Sequence, residues 1–325
     1  VKSILVIRIK AIGDVIFTLP AVHALRAHYP KARITFLVSK ENAPLLQGFR
    51  EVDEVIALDR AALRSGNPLQ MGREFFGLLQ RLRAGKFSLV VDFQGFGETA
   101  WLARLSGAPH RWGSVYGRGR SWAYTRGIRR DETLHPADWN LRMLSECGVP
   151  IGAIKNEFAL PAAALADARA SLKENKIDDQ GPILVIQPFT SSPQKNWPLE
   201  NYLAVARHWR ERGVRIIFVG GPADGLHLEP ARAADFCVLT TLPLLVSAGL
   251  VQLSTLMLGG DTGLGHLGVA LGRNVRLLMI HNRPGACVPF QHPEWAIVPV
   301  TSGGIRGITI DTVLAETEQA LGAAS

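Results

Sequence analysis

The sequence predicts an α/β protein made of two Rossmann-like halves, and three observations predict it. Short apolar runs alternate with amphipathic segments from residue 3 to 150, the alternation restarts at 183, and residues 151–182 between them have a different texture. Strand runs alternating with helical periods mark parallel sheets covered by helices on both faces. A chain of 325 residues is long for one average domain and ample for two, each with its own core.

In the first half, residues 3–9 read as a strand, and 15–28 have helical spacing through Ile16, Leu19, Val22 and Leu25. Strands follow at 33–38, 55–58 and 88–92, with a helix over 72–84. After Pro150 comes an Ala-rich helix over 162–175, which ends in the polar turn 178–182. The second half then reads as strand 183–187, helix 199–212, strands 215–219, 237–239 and 255–258, a helix after Thr262, strand 276–280 and a closing amphipathic helix over 310–321. The expected division is a first domain over 1–155, a linker and helix over 156–182, a second domain over 183–309, and a terminal helix over 310–325. Sheets of this kind bind ligands beyond the carboxyl ends of their strands, so the expected site is a cleft between the halves.

Composition narrows the function. A hydrophobic content of 47% with 20% charged residues is that of a globular enzyme and excludes a disordered chain. Cys147, Cys237 and Cys287 are scattered with no metal-binding spacing, which suits a reducing cytoplasm. The apolar start at Ile4 lacks the basic leader and cleavage site of a secretory signal. Residues 238–260 carry no charge over 23 positions, but Pro243, Gly249 and Gln252 interrupt them, so the segment reads as strand, turn, short helix and buried strand. Lys and Arg exceed Asp and Glu by 22 to 13 over residues 1–150, and stand at 14 against 15 over 151–325. All the excess positive charge, +9 against −1, therefore lies in the first half. It points to an anionic partner there, with a plain basic surface as the other reading.

Several chemistries are absent by motif. There is no GxxxxGK[ST], no GxGxxG after a strand, no HExxH and no GxSxG. Four strand ends remain as candidates. The first strand runs into Lys10-Ala11-Ile12-Gly13-Asp14. Asp14 suits a helix cap, and equally a base at a strand end, where an ionised carboxylate takes a proton from an acceptor hydroxyl. Asp261-Thr262-Gly263-Leu264-Gly265-His266 joins a strand to a helix whose first amides suit a diphosphate. His266 there also reads as a satisfied core histidine. The loop after strand 183–187 offers Thr190, Ser191 and Lys195 to phosphate oxygens. In Gly220-Gly221-Pro222-Ala223-Asp224 the carboxylate suits ribose hydroxyls, or simply closes a Gly-Pro turn.

Each motif alone is weak, but together and in order they are specific. Arg8-x5-Asp14 with Thr18-Leu19-Pro20, then Asp92-Phe93-Gln94-Gly95, Lys195-x-Trp197-Pro198, Gly220-Gly221-Pro222-Ala223-Asp224 and Asp261-Thr262-Gly263-x2-His266 resemble the glycosyltransferase family 9 heptosyltransferases. The resemblance runs from residue 3 to 320, and Asp92-x-Gln94-Gly95 with Asp261-Thr262-Gly263 looks more like the heptosyltransferase I branch. It implies a GT-B fold whose two Rossmann-like domains face each other across a cleft. The implied reaction is inverting, metal-independent transfer of heptose from an ADP-sugar, a co-substrate rather than a cofactor, to Kdo of the lipid A inner core. Carried over by position, Asp14 is the base and Lys195 the diphosphate partner. Thr190, Ser191, Asp224, Asp261, Thr262, Gly263 and His266 line the donor site. The sequence departs from the family after strand 276–280, where His281-Asn282-Arg283-Pro284-Gly285 stands in place of the usual Gly-Pro-Thr-type loop.

The basic first half then suits an acceptor bearing Kdo carboxylates and lipid A phosphates on the cytoplasmic face of the inner membrane. Arg118, Arg120, Arg126, Arg129 and Arg130, interleaved with Tyr116, Trp122 and Tyr124, read as a loop that docks it, with Arg8, Lys10 and Gln94 as further acceptor contacts. Two alternatives stand beside this reading. One is a family 9 enzyme using another nucleotide sugar or acceptor. The other, ranked low, is a nucleic-acid binder using segment 116–130, which leaves the second half without a purpose.

Overall fold

The computed structural model describes residues 1–178, 180–300 and 303–321, with only the backbone at Arg118. The chain divides into two compact units, Val1–Ala159 and Leu160–Ser325.

The first unit holds strands β1 (Ser3–Ile7), β2 (Arg33–Ser39), β3 (Glu54–Leu58), β4 (Leu89–Asp92), β5 (His110–Val115) and β6 (Arg126–Arg129). Its helices are α1 (Ile12–Ile16), α2 (Leu19–His28), α3 (Arg60–Leu63), α4 (Pro68–Ala84), α5 (Gly97–Leu105) and α6 (Pro136–Glu146). All pairings are parallel, in the order β3-β2-β1-β4-β5-β6. Ile4, Leu5, Val6 and Ile7 of β1 are fully buried, as a central strand covered on both faces requires. The expected helix over 15–28 is two helices, α1 and α2. Pro20 has no N–H to bond the Ile16 carbonyl, so the helix breaks there and restarts.

The second unit holds β7 (Ile183–Gln187), β8 (Arg215–Val219), β9 (Cys237–Leu239), β10 (Leu256–Gly260), β11 (Val275–Leu278) and β12 (Ala296–Ile297). Its helices are α7 (Ala162–Glu174), α8 (Leu199–Arg210), α9 (Glu229–Ala233), α10 (Leu244–Leu253), α11 (Gly263–Ala270) and α12 (Ile310–Leu321). The sheet is again parallel throughout, in the order β12-β11-β10-β7-β8-β9. The uncharged stretch 238–260 is the end of β9, α10 and β10. Among the described residues no helix is long and apolar enough to cross a membrane. Cys147 is buried, and Cys237 and Cys287 are half-buried.

Both strand orders reverse direction at one place. In the first sheet the chain builds outward from β1 through β2 to β3, then returns to add β4 on the other side. In the second it builds from β7 through β8 to β9, then returns with β10. Loops leaving the two strands at such a point part to opposite faces and open a crevice, where ligands bind in sheets of this type. Ile7 pairs with Asp92 across the first reversal, and Gln187 with Gly259 across the second.

Candidate active site

The four strand ends at the two reversals carry most of the singled-out residues. In the first unit, Asp14 sits in α1, just past the end of β1. It is the third residue of that helix rather than its cap. Its Oδ2 accepts the Ala11 N–H at 3.2 Å and pairs with Arg8 Nη2 at 2.6 Å. Both partners fall on Oδ2, and the side chain is 34% exposed.

Arg8 was expected to contact an acceptor. It is instead buried, with its guanidinium committed to Asp14 and, through Nη1, to the Phe93 carbonyl at 3.0 Å. Gln94 is likewise engaged within the first unit. It is fully buried, and its Oε1 accepts the Ile9 and Lys10 amides at 2.9 and 3.3 Å while Nε2 donates to Glu98. Both residues hold the Asp14 turn in place. Lys10 is half-buried beside that turn.

Asp92, at the end of β4, is buried in a web of donors. Its Oδ1 accepts the Gln94 and Gly95 amides, and its Oδ2 accepts the Tyr124 hydroxyl at 2.7 Å. Burial pushes the Asp92 carboxyl up, against the pull of these hydrogen bonds, and burial beside Asp92 also lifts the Tyr124 phenol. Gly95 adopts φ +68°, and a Cβ there would lie 2.0 Å from the Ser114 carbonyl oxygen, so only glycine fits.

The basic segment 116–130 is not a loop. It is a 3-10 turn over Arg118–Ala123 followed by edge strand β6. Arg120 donates to the Gly95 carbonyl at 3.1 Å. Arg126 donates to the Cys147 carbonyl at 3.0 Å and so caps the end of α6. Arg130 lies over the Tyr116 and Trp139 rings. Arg129 is exposed, and the Arg118 side chain lies outside the described residues. Tyr124 packs on Gly113 and offers no free ring face, which removes one of the platforms a nucleic-acid binder needs.

In the second unit a tighter constellation forms. Lys195 Nζ lies 2.7 Å from Asp261 Oδ2, and His266 Nε2 lies 2.9 Å from Asp261 Oδ1. Burial alone would raise the Asp261 carboxyl, but the hydrogen bonds and charges of His266 and Lys195 outweigh it and hold the pKa at about 2. Burial would lower the Lys195 ammonium; its bond to Asp261 outweighs this and raises it. His266 is 3% exposed, with its Nε2 turned to Asp261. Thr262 caps α11 by accepting the Gly265 N–H, and its hydroxyl donates to Gln187 Oε1 at 2.6 Å. Gly263 opens the helix with half-buried backbone. Gly265 serves packing instead, since a Cβ there would meet Leu277 at 2.6 Å.

Trp197 aims the Lys195 loop. It is buried, donates to the Ile308 carbonyl at 2.9 Å and meets Tyr202 edge-on. Asn196 Oδ1 accepts the Thr190 N–H at 2.8 Å, closing the loop on itself, while Ser191 is exposed. Asp224 accepts the Gly221 N–H at 2.7 Å, so one of its oxygens closes the Gly-Pro turn after β8. Gln187 and Asn196 were missed from sequence. The signal for Gln187 was a polar residue ending an otherwise apolar strand. Among the described residues no group of three or more His, Cys, Asp or Glu is placed to hold a metal ion.

The comparisons with known proteins decide what carries this geometry. The family model for glycosyltransferase family 9 (heptosyltransferase) matches residues 75–292, two thirds of the chain. The chain belongs to glycosyltransferase family 9. Lipopolysaccharide heptosyltransferase 1 of Pseudomonas aeruginosa is 27% identical over 295 residues, covering 87% of this glycosyltransferase and 79% of the relative. The crystal structure of the glycosyl transferase family 9 protein from Veillonella parvula superposes with a TM-score of 0.89 at 22% identity, covering 99% and 97% of the two chains. Escherichia coli heptosyltransferase WaaC with ADP-2-deoxy-2-fluoro heptose superposes at 0.77 and 21% identity, covering 98% and 99%. At these identities the superpositions establish the fold of this family 9 enzyme, an α/β GT-B fold with two parallel six-stranded sheets.

Proposed function

We propose that this family 9 glycosyltransferase moves a heptose from ADP-heptose to Kdo of the lipid A inner core in lipopolysaccharide biosynthesis, with inversion and without a metal. The reading rests above all on the Lys195–Asp261–His266 constellation beside the Thr262-capped start of α11. The donor chemistry follows WaaC, which has been solved with an ADP-heptose analogue.

The acceptor hydroxyl oxygen attacks the anomeric carbon as the bond from that carbon to the diphosphate oxygen breaks. Asp14 Oδ1 takes the hydroxyl proton, with Arg8 and the Ala11 amide fixing Oδ2. The departing ADP carries away the bonding pair. Lys195 and the free amides of α11 at Gly263 balance its charge. Asp261, kept ionised by His266, positions the Lys195 ammonium. Thr190, Ser191 and Asp224 complete the donor side, while Lys10 and Arg129 remain for the anionic acceptor. A lipid-linked acceptor brings the enzyme to the cytoplasmic face of the inner membrane.

The departure at residues 281–285 favours one second reading, a different nucleotide sugar. A thermal-shift screen of ADP-, UDP- and GDP-sugars separates the two, because a ligand that binds only the folded state raises its melting point. Stabilisation by ADP-heptose alone is expected. Equal or greater stabilisation by a UDP- or GDP-sugar would overturn the donor assignment.

A further inference from the structure

The first unit contains a cavity of about 490 Å³ that the transfer chemistry does not use. Leu58, Leu63, Leu78, Trp101 and Leu105 line it, and Glu98 is its one charged wall residue. Such a volume and lining suit an apolar ligand. Glu98 accepts from Gln94, which holds the Ile9 and Lys10 amides, and Ile9 is itself in the wall. The cavity wall therefore includes Ile9, just before the Asp14 turn, and its one charged residue is joined to that turn through Gln94.

Its surroundings are amphipathic. Leu69 and Phe76 lie seven residues apart on one face of α4 and are 85% and 69% exposed, and Trp101 is 57% exposed against Trp122 at 4.6 Å. Exposed apolar side chains of this size mark a surface that meets another apolar phase. Residues 60–83 carry Arg60, Arg64, Arg73, Arg81 and Arg83 against a single acid, Glu74. Among the described residues Arg60, Arg64 and Arg73 have no ion-pair partner. A helix with exposed Leu and Phe, carrying unpaired Arg73 and preceded in the chain by unpaired Arg60 and Arg64, suits an anionic lipid surface.

We propose that this cavity is a hydrocarbon-chain subsite that takes one acyl chain of the anionic lipid acceptor, with the arginines of residues 60–73 on its headgroup phosphates. The inference rests on the lipid-linked acceptor of the proposed reaction and deepens it by naming how the lipid part is held. A chain seated there anchors the acceptor with its polar end at Lys10 and Asp14.

Equilibrium dialysis of the full chain against radiolabelled 1-decanol tests the cavity without any need for turnover. One saturable site is expected, with its Kd raised at least tenfold by Leu63→Trp and by Leu105→Trp, each first shown to bind ADP as the wild type does. No saturable site, or unchanged binding in both variants, overturns the subsite. Displacement then identifies the occupant. Kdo-bearing lipid A should displace decanol, whereas its fully deacylated form and phosphatidylglycerol at equal concentration should not. Equal displacement by phosphatidylglycerol, or none by the acylated acceptor, overturns the assignment to the acceptor chain. Transfer to the deacylated acceptor reports the reaction separately, so loss of that transfer counts against the proposed function and not against the cavity.

Discussion

Lys195 and Asp261, 66 residues apart in sequence, meet in a 2.7 Å ion pair whose carboxylate is held from its other oxygen by buried His266. The pair responds to pH. Asp261 has its folded pKa depressed from 3.8 to about 2, so its contribution to stability is full above about pH 4 and is lost as pH falls towards 2. A shift of that size corresponds to about 2 kcal/mol. Chemical denaturation of wild type and Asp261→Asn at pH 7 and pH 2.5 checks it: the gap between them should be wide at pH 7 and reduced to about a third at pH 2.5.

Asp14→Asn should reduce turnover at least about 100-fold, the usual size of a general-base contribution, while ADP affinity stays within a factor of two. The substitution also leaves buried Arg8 without its carboxylate. Because that carboxylate is partly exposed, the cost should be about 1–2 kcal/mol, read from a denaturant melt. Turnover close to wild type would remove Asp14 from the mechanism.

Gln94→Leu tests whether the Asp14 turn is held from β4. Two amides, those of Ile9 and Lys10, lose their acceptor in a buried place. The expected cost is about 1–3 kcal/mol, with a fall in kcat and no change in the Kd for ADP. A loss of stability without a loss of kcat would show that the turn keeps its shape unaided.

Gly260→Ala addresses the donor loop. A Cβ there would lie 2.5 Å from Thr190 Cγ2, and the stiff β-branched side chain must shift. Calorimetry should show ADP binding weakened about tenfold. Thr190→Ser in the same background deletes the offending methyl, keeps the hydroxyl, and should restore most of the affinity.

The sequence was most legible where strands are central. Residues 183–187 and 215–219 are strands as expected, because interior strands buried in parallel sheets show as short apolar runs. β6 was read as a docking loop because an edge strand needs pairing on one side only and tolerates the arginines that disguise it. β5 is interior, but its polar start at His110-Arg111 hides the apolar run. Helix α5, between β4 and β5, carries the polar Glu98 and Thr99 in its first turn and has no helical signature in the sequence.

By itself the sequence determined the two α/β halves, the family, the unequal charge, and the four strand ends where chemistry gathers. Those are properties of local pattern and order, which survive without coordinates. Only the tertiary structure decided which side chains are spent on holding others: Arg8 on Asp14, Gln94 on the Ile9 and Lys10 amides, His266 on Asp261, Arg126 on the end of α6. A polar side chain is free for a ligand or buried as a brace according to what lies beside it after folding, and buried polar groups must be paired. Sequence order says nothing of that pairing when the partners stand 85 residues apart, as Ile9 and Gln94 do.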